Sequence, residues 1–175
     1  MIKRFLLNIA VLAAIVMSFN SCAYRLSLNG ASIPPDLKTI DIQFFENTAP
    51  LVVSTLSQQF TEALKNRIRS QTRLSIVRSE ANATMSGAIT GYSITPVSIE
   101  ATNSNTAPIA GASRLTITVS VKYVYEADKK LNFEESFSKS KNFTGDIAQQ
   151  EQALIQDINK QLTDDIFNRA FANWN

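Results

Sequence analysis

Residues 114–126 alternate between apolar and polar side chains, and this pattern constrains the fold more than any other feature of the chain. The apolar members are Leu115, Ile117, Val119, Val121, Tyr123 and Tyr125, and the polar members between them are Thr116, Thr118, Ser120 and Lys122. Successive side chains of a strand point to opposite faces, so this segment predicts a long strand with one buried face and one face in water.

Four further segments predict strands of the same sheet. They are residues 38–45, with Ile40, Ile42 and Phe44 in phase; residues 74–77; residues 84–99, where Gly87 and Gly91 suit a bend or bulge; and residues 131–143, where Leu131, Phe133 and Phe137 are in phase. Glu135 breaks the phase of the last segment. Residues 128–130 form a short polar connection of hairpin length, which favours antiparallel pairing.

Two segments carry apolar residues at helical spacing. The first follows Pro50 and contains Val53, Leu56, Phe60, Leu64 and Ile68, and the second follows Asp146, a candidate N-cap, and contains Ile147, Leu154, Ile155, Ile158, Leu162, Ile166 and Ala170. Two helices with one apolar stripe each can cover one face of a sheet. The predicted fold class is therefore α+β, with two helices packed on one face of a roughly four-stranded, mixed but largely antiparallel sheet.

The composition excludes much of enzyme chemistry. The chain has no histidine and one cysteine, so Ser-His-Asp and Cys-His catalysis and the common zinc sites lack their residues. The carboxylate pairs at residues 134–135 and 164–165 are sequence neighbours whose side chains diverge in a strand or a helix, so neither makes a shared acid and base. We expect no catalytic residues, no metal and no cofactor other than a covalent lipid.

The N-terminus predicts an export signal. Lys3 and Arg4 precede an apolar run that is shorter than a transmembrane span and ends in small or polar residues, as in a signal peptide at residues 1–21. Cys22 follows at the position where bacterial lipoproteins carry their lipid. Two alternatives stay open: the N-terminal segment is an anchor that is not cleaved, or Cys22 is a buried apolar cysteine. Without Lys3 and Arg4, basic and acidic residues are equal in number, so binding of nucleic acid through overall charge is not expected.

The remaining chain divides into a tether and one domain. Pro34 and Pro35 stiffen the end of residues 22–36, and residues 37–175 form the predicted α+β domain. Residues 100–113 are small and polar, which is typical of a functional loop or a solvated hairpin tip.

Several segments together resemble the LPS-assembly lipoprotein family, LptE, in a divergent branch with an Ile-Pro-Pro motif. They are SIPPDLKTIDIQFFENTAPLV, LSQQFTEALKNRI, GAITGYSITPVSIEA, RLTITVSVKY and DDIFNRAFANW. The resemblance implies an outer-membrane lipoprotein on the periplasmic side, anchored through Cys22. It also implies a plug and assembly role for the β-barrel LptD, which passes lipopolysaccharide to the cell surface.

Lipopolysaccharide phosphates favour accessible basic side chains, and Arg114, Lys129 and Lys130 are the candidates near strand ends. Ordinary solubilising charge is the alternative for each. Two other functions stay open for the chain: a subunit of another secretion or assembly complex, resembling the curli-exporter lipoproteins and forming rings, and a periplasmic hydrolase.

Overall fold

A computed structural model describes residues 33–51, 53–97 and 111–172. The signal segment, Cys22 and most of the 100–113 connection lie outside the described residues. The strands are β1 (Thr39–Ile42), β2 (Glu46–Asn47), β3 (Ser75–Ile76), β4 (Ala83–Pro96), β5 (Ala112–Tyr125) and β6 (Phe133–Thr144), and the helices are α1 (Leu56–Gln71) and α2 (Glu151–Phe171).

The strands form one mixed sheet in the order β3-β1-β4-β5-β6, with β2 continuing beside β4. β1 runs parallel to both β3 and β4, whereas β4, β5 and β6 form an antiparallel meander. The predicted α+β fold is confirmed. The sheet has six strands rather than about four, because two-residue strands β2 and β3 extend it beside the longer β1, β4, β5 and β6.

Both helices pack on the face of the sheet that carries the apolar residues of β5. Their buried residues include Phe60, Leu64, Ile158 and Ile166, which join Ile117 and Val119 in one core. Each fully buried side chain of this size stabilises the fold by about 1.5–3 kcal/mol relative to exposure. Helical periodicity therefore decides which stripe of each helix meets the sheet.

The segment around Phe45 corrects one detail of the strand prediction. Phe44, expected in phase with Ile40 and Ile42, is 57% exposed, whereas Phe45 is buried. Strand β1 ends at Ile42, and the chain then turns Phe45 against the ring of Phe60 at a centroid distance of 5.1 Å. The Phe45 amide donates to Thr61 Oγ1 at 3.1 Å, so a side chain of α1 satisfies the backbone where strand pairing stops.

Gly87 leaves the space that Phe45 occupies. A Cβ atom at this position would lie 2.6 Å from the Phe45 ring and 2.0 Å from the carbonyl oxygen of Ser120 in β5. The predicted irregularity of β4 is present nearby, since the register between β4 and β5 shifts between Ile89 and Gly91.

Helix α2 covers the edge strand β6 through charged as well as apolar contacts. Lys139 Nζ lies 2.7 Å from Asp165 Oδ2, Arg169 Nη2 lies 2.7 Å from Glu135 Oε1, and Lys141 pairs with Asp157. These pairs explain why the apolar alternation of β6 breaks at Glu135. The side of this edge strand that faces α2 is partly exposed to solvent, so charged side chains can lie there. Asp146, the predicted N-cap, accepts from the Ala148 amide at 3.0 Å and caps a short 3₁₀ turn before α2 begins.

Among the residues that the structure describes, neither helix is long and apolar enough to cross a membrane.

Candidate functional site

The face of β4, β5 and β6 opposite the helices is covered with small polar side chains, and we call it the open face. Its members are Ser86, Ala88, Gly91, Ser93 and Thr95 of β4, Arg114, Thr116, Thr118, Ser120 and Lys122 of β5, and Glu134, Ser136, Ser138, Ser140 and Asn142 of β6. These residues are half-buried or exposed. The alternation of β5 therefore predicts the open face correctly, and strand pairing extends it across three strands.

The centre of the open face is a two-dimensional array of hydroxyl groups. Thr116, Thr118 and Ser120 of β5 pair with Ser140, Ser138 and Ser136 of β6 in register. The hydroxyls of Thr118 and Ser138 lie 3.1 Å apart and share a hydrogen bond. Each hydroxyl can donate once and accept twice, so this array keeps free capacity for a polar surface or for bridging water.

The ends of the open face hold its charged groups. Arg114 Nε donates to Asn142 Oδ1 at 2.9 Å near one end, and Lys122 Nζ lies 3.4 Å from Glu134 Oε2 near the other. The Lys122 and Glu134 side chains are more than half exposed, so solvent screens this pair and it adds little to stability. The middle of the face is thus neutral and hydroxylated between two charged ends.

The three predicted lipopolysaccharide-binding residues do not form one cluster. Arg114 lies near the start of β5, whereas Lys129 and Lys130 lie in the turn that follows its end, about 36 Å away at about 3.3 Å per strand residue. All three side chains are exposed. Lipopolysaccharide binding by each remains a prediction, and one phosphate group cannot contact all three at once. Cys22, the predicted lipid attachment site, lies outside the described residues.

The acidic pairs diverge as the sequence predicts. Glu134 pairs with Lys122 on the open face, while Glu135 pairs with Arg169 on the helix side. Asp164 lies beside Arg67, and its neighbour Asp165 pairs with Lys139. Within residues 33–51, 53–97 and 111–172, no group of three or more acidic, histidine or cysteine side chains is placed to hold a metal ion.

Two tyrosines donate short hydrogen bonds to carboxylates across long sequence separations. Tyr92 Oη donates to Glu151 Oε1 at 2.6 Å, and Tyr125 Oη donates to Asp36 Oδ2 at 2.5 Å. Burial, the bond to Glu151 and the charge of Glu151 raise the pKa of Tyr92. The bond to Asp36, burial and nearby carboxylate charge raise the pKa of Tyr125 to about 12. Both hydroxyls are therefore protonated donors at neutral pH, and each fixes a distant segment to a long strand.

A groove lies between α1 and α2, on the side of the helices away from the sheet, and was not predicted from the sequence. Its volume is about 550 Å³, and its lining includes Gln59, Ala63, Arg67, Asn159 and Asp164. Asn159 is only 2% exposed although it lies beside the apolar stripe of α2. An asparagine next to the apolar stripe is the signal in the sequence that could have indicated this groove, but only the packed helices show that the residue is buried and borders it.

Comparison with protein families identifies one match. Residues 37–170 match the model of the family described as LptE, lipopolysaccharide-assembly, which covers more than half of the chain. No curated protein matches the sequence.

Solved structures share the fold at low sequence identity. A rare lipoprotein B from Shewanella oneidensis is 12% identical, with a TM-score of 0.52 over 75% of this chain and 92% of that one. A hypothetical protein from Chlamydia trachomatis is 10% identical, with a TM-score of 0.53 over 78% of this chain and 99% of that one. A minor lipoprotein from Acinetobacter baumannii is 13% identical, with a TM-score of 0.48 over 76% of this chain and 91% of that one. At such identities the first two likenesses bear on the fold alone.

Proposed function

This chain belongs to the LptE lipopolysaccharide-assembly family, and from that membership we propose that it is an outer-membrane lipoprotein that plugs and helps assemble the lipopolysaccharide-translocating β-barrel LptD. Its role is non-enzymatic: it occupies the barrel lumen and supports the transfer of lipopolysaccharide to the cell surface. The expected resemblance to this family is confirmed, while the partnership with the barrel is the proposal.

The open face is the observation that carries this proposal. The interior of a large outer-membrane barrel is polar, because lumen-facing residues alternate with the apolar residues that face lipid. An array of hydroxyls, centred on Thr118 and Ser138, can hydrogen-bond to such a wall directly or through water. An interface of this kind does not depend on a large apolar patch.

The lipid anchor is the second part of the proposal. Cys22, after cleavage of residues 1–21, carries the lipid, and residues 22–36 tether the domain to the periplasmic side of the outer membrane. Two acyl chains or more are needed for a stable anchor, and a lipidated N-terminal cysteine supplies them. Labelling cells with palmitate tests this directly: the wild-type protein incorporates label, and Cys22→Ser does not. An unlabelled wild-type protein would contradict the anchor.

The barrel partnership is tested by affinity purification in mild detergent. Thr118→Arg places a long charged side chain in the middle of the open face, where the Thr118 side chain packs beside Gly91 of the neighbouring strand. We expect this variant to retain at most a tenth of the barrel that the wild-type protein retains. Gln161→Arg, at an exposed position of α2, is the matched control and should retain the wild-type amount.

The purification also separates the alternatives. Recovery of one large β-barrel protein supports the proposal. Recovery of a homo-oligomeric ring would favour a secretion-channel subunit, and a lone monomer with hydrolytic activity would favour an enzyme. Equal recovery of the barrel with Thr118→Arg and Gln161→Arg would remove the open face as the interface.

A further inference from the structure

Strand β6 is a long edge of the sheet. It has 12 residues and pairs with β5 along its length, and no other strand of the described residues pairs with its outer side. The opposite edge, β3, has only two residues. An exposed edge presents free backbone N–H and C=O groups, with which a strand of another molecule can pair. Of the two edges, β6 is therefore the one that could join two copies of the chain.

The backbone of β6 does not itself prevent such pairing. Residues 133–144 contain no proline and no glycine, and their register with β5 runs without a bulge. Proline and bulges are common backbone features that interrupt pairing at the edge of a sheet, and charged side chains are the other common means. Any protection of β6 must therefore come from its side chains.

Every second residue of β6 faces α2, and half of these residues are charged. Each charged residue pairs with an opposite charge on the helix, and we call the three pairs the edge ion pairs: Lys139 with Asp165, Lys141 with Asp157, and Glu135 with Arg169. The other residues on this side are Phe133, Phe137 and Phe143. With apolar residues in place of the charged ones, β6 would be a long edge with a continuous apolar side, which is the kind that aggregates.

We propose that the edge ion pairs keep β6 from pairing with β6 of a second copy, so that the domain stays a monomer. This inference does not depend on the proposed function. It assigns the charges on the inner side of the edge strand to the control of assembly rather than to the stability of the fold.

The exposure of the edge ion pairs supports this assignment. Their side chains are between 33% and 52% exposed, so solvent screens them and they add little to folding stability. A strand paired with the outer side of β6 would cover them and remove that water. The loss of water around paired charges often costs more than their attraction returns. The cost therefore falls on the dimer, while the monomer keeps its charges hydrated.

Helix α2 adds to this cost. Asp157, Gln161, Asp165 and Arg169 recur every four residues and so lie along one side of the helix. In a symmetric dimer through β6, a two-fold axis perpendicular to the joined sheet would place both copies of α2 on the same side of it. The two charged rows would then face each other, and each would lose water to the other copy.

Neutral substitution of two edge ion pairs tests the inference on the full-length protein, in mild detergent with micelles in excess over protein. The neutral variant carries Lys139→Val, Lys141→Val, Asp157→Ala and Asp165→Ala, which leaves the net charge unchanged. We expect it to dimerise at a protein concentration at least about tenfold lower than the wild type in sedimentation velocity. A neutral variant that stays as monomeric as the wild type would overturn the proposal.

A charge-swapped variant is the matched control. Lys139→Asp, Lys141→Asp, Asp157→Lys and Asp165→Lys change the same four positions but keep opposite charges across each pair. We expect this variant to remain a monomer at concentrations where the neutral variant is dimeric. Equal dimerisation of the two variants would show that the charges are not what prevents pairing, and the proposal would fall.

Hydrogen exchange identifies the surface through which the neutral variant dimerises. The β6 amides that point away from β5 should exchange quickly in the wild type and slowly in the dimer of the neutral variant. A dimer in which these amides still exchange quickly has formed through another surface, which contradicts the inference. Slow exchange of the same amides in the wild-type monomer would also overturn it, because the edge would then be covered already.

A milder variant keeps the test decisive if the neutral variant does not fold. Lys139→Val with Asp165→Ala removes one edge ion pair and leaves the pairs of Lys141 and Arg169 in place. A cooperative thermal transition shows that it is folded. We expect it to dimerise at a concentration between those of the wild type and the neutral variant. If this folded variant is as monomeric as the wild type and the neutral variant is unfolded, the proposal is rejected.

Discussion

Tyr125, the last residue of β5, donates a hydrogen bond of 2.5 Å from its hydroxyl to the carboxylate of Asp36, at the end of the Pro34-Pro35 segment. The Leu37 amide donates to the Pro34 carbonyl oxygen at 3.1 Å, so a tight turn presents Asp36 to the tyrosine. This contact fixes the point where the proposed tether enters the domain.

Loss of the Tyr125–Asp36 bond should loosen the start of the domain without unfolding it. We expect Tyr125→Phe and Asp36→Ala to accelerate hydrogen exchange at the Leu37 amide and proteolysis at residues 33–36. The exchange rates in β5 and β6 should change little, because their own ladder is intact. Equal acceleration throughout the sheet would show that the bond supports the whole fold.

The same bond predicts a dependence of stability on alkaline pH. The folded pKa of Tyr125, about 12, lies above its ordinary value of 10.0, so the protonated hydroxyl is favoured in the folded state. Its contribution is complete below pH 10 and is lost as the pH rises from 10 to 12. In urea titrations, the free energy of unfolding of the wild-type protein should fall more across this window than that of Tyr125→Phe. The other tyrosines are the same in both proteins, so their effects cancel in this comparison. Parallel losses would contradict the raised pKa.

Gly87→Ala should destabilise the fold strongly, because the added Cβ meets the Ser120 carbonyl oxygen and the Phe45 ring at distances that no side chain tolerates. We expect a loss of about 3 kcal/mol in the free energy of unfolding from this overpacking. Gly145→Ala is the matched control: its φ of 80° strains an alanine, but nothing lies within 4 Å. It should cost about 1–2 kcal/mol. Urea denaturation measures both, and equal losses would show that the close contact relaxes.

Arg169 links α2 to the edge strand in two ways, since its guanidinium pairs with Glu135 and lies 4.5 Å from the centre of the Phe133 ring. Both charged side chains are more than two-fifths exposed, so the ion pair is partly screened. We expect Arg169→Gln to cost about 1 kcal/mol at low salt. Lys65→Gln, which breaks only the pair with Glu62 one turn earlier on α1, should cost about 0.3 kcal/mol. If the two variants lost equal stability, the ring contact would contribute nothing.

The separation of the basic candidates predicts that their effects on lipopolysaccharide binding are independent. Arg114→Glu and the double variant Lys129→Glu with Lys130→Glu lie at opposite ends of β5 and should weaken binding by separate factors of about three to tenfold each. Binding of purified lipopolysaccharide to the full-length protein in detergent measures this. Unchanged affinity for all three charge reversals would assign these residues to ordinary solubilising charge.

Local periodicity in the sequence determined the elements and their faces. The alternation of β5 specified which side chains form the core and which form the hydroxylated open face, because a strand has a fixed period of two. The apolar stripes of α1 and α2 specified the faces that pack on the sheet, because residues three and four positions apart lie on the same side of a helix. The family resemblance, confirmed over residues 37–170, also came from the sequence.

The tertiary structure alone decided the contacts between distant segments. In the sequence, Glu135 only interrupts the apolar alternation of its strand. The structure shows why it can lie there, because Arg169 of the packed α2 pairs with it. The unpaired Asn159 and the groove beside it depend on how two helices meet, and Tyr125 reaches Asp36 only because the sheet brings them together. Such contacts follow from chain topology, which local patterns of hydrophobicity do not encode.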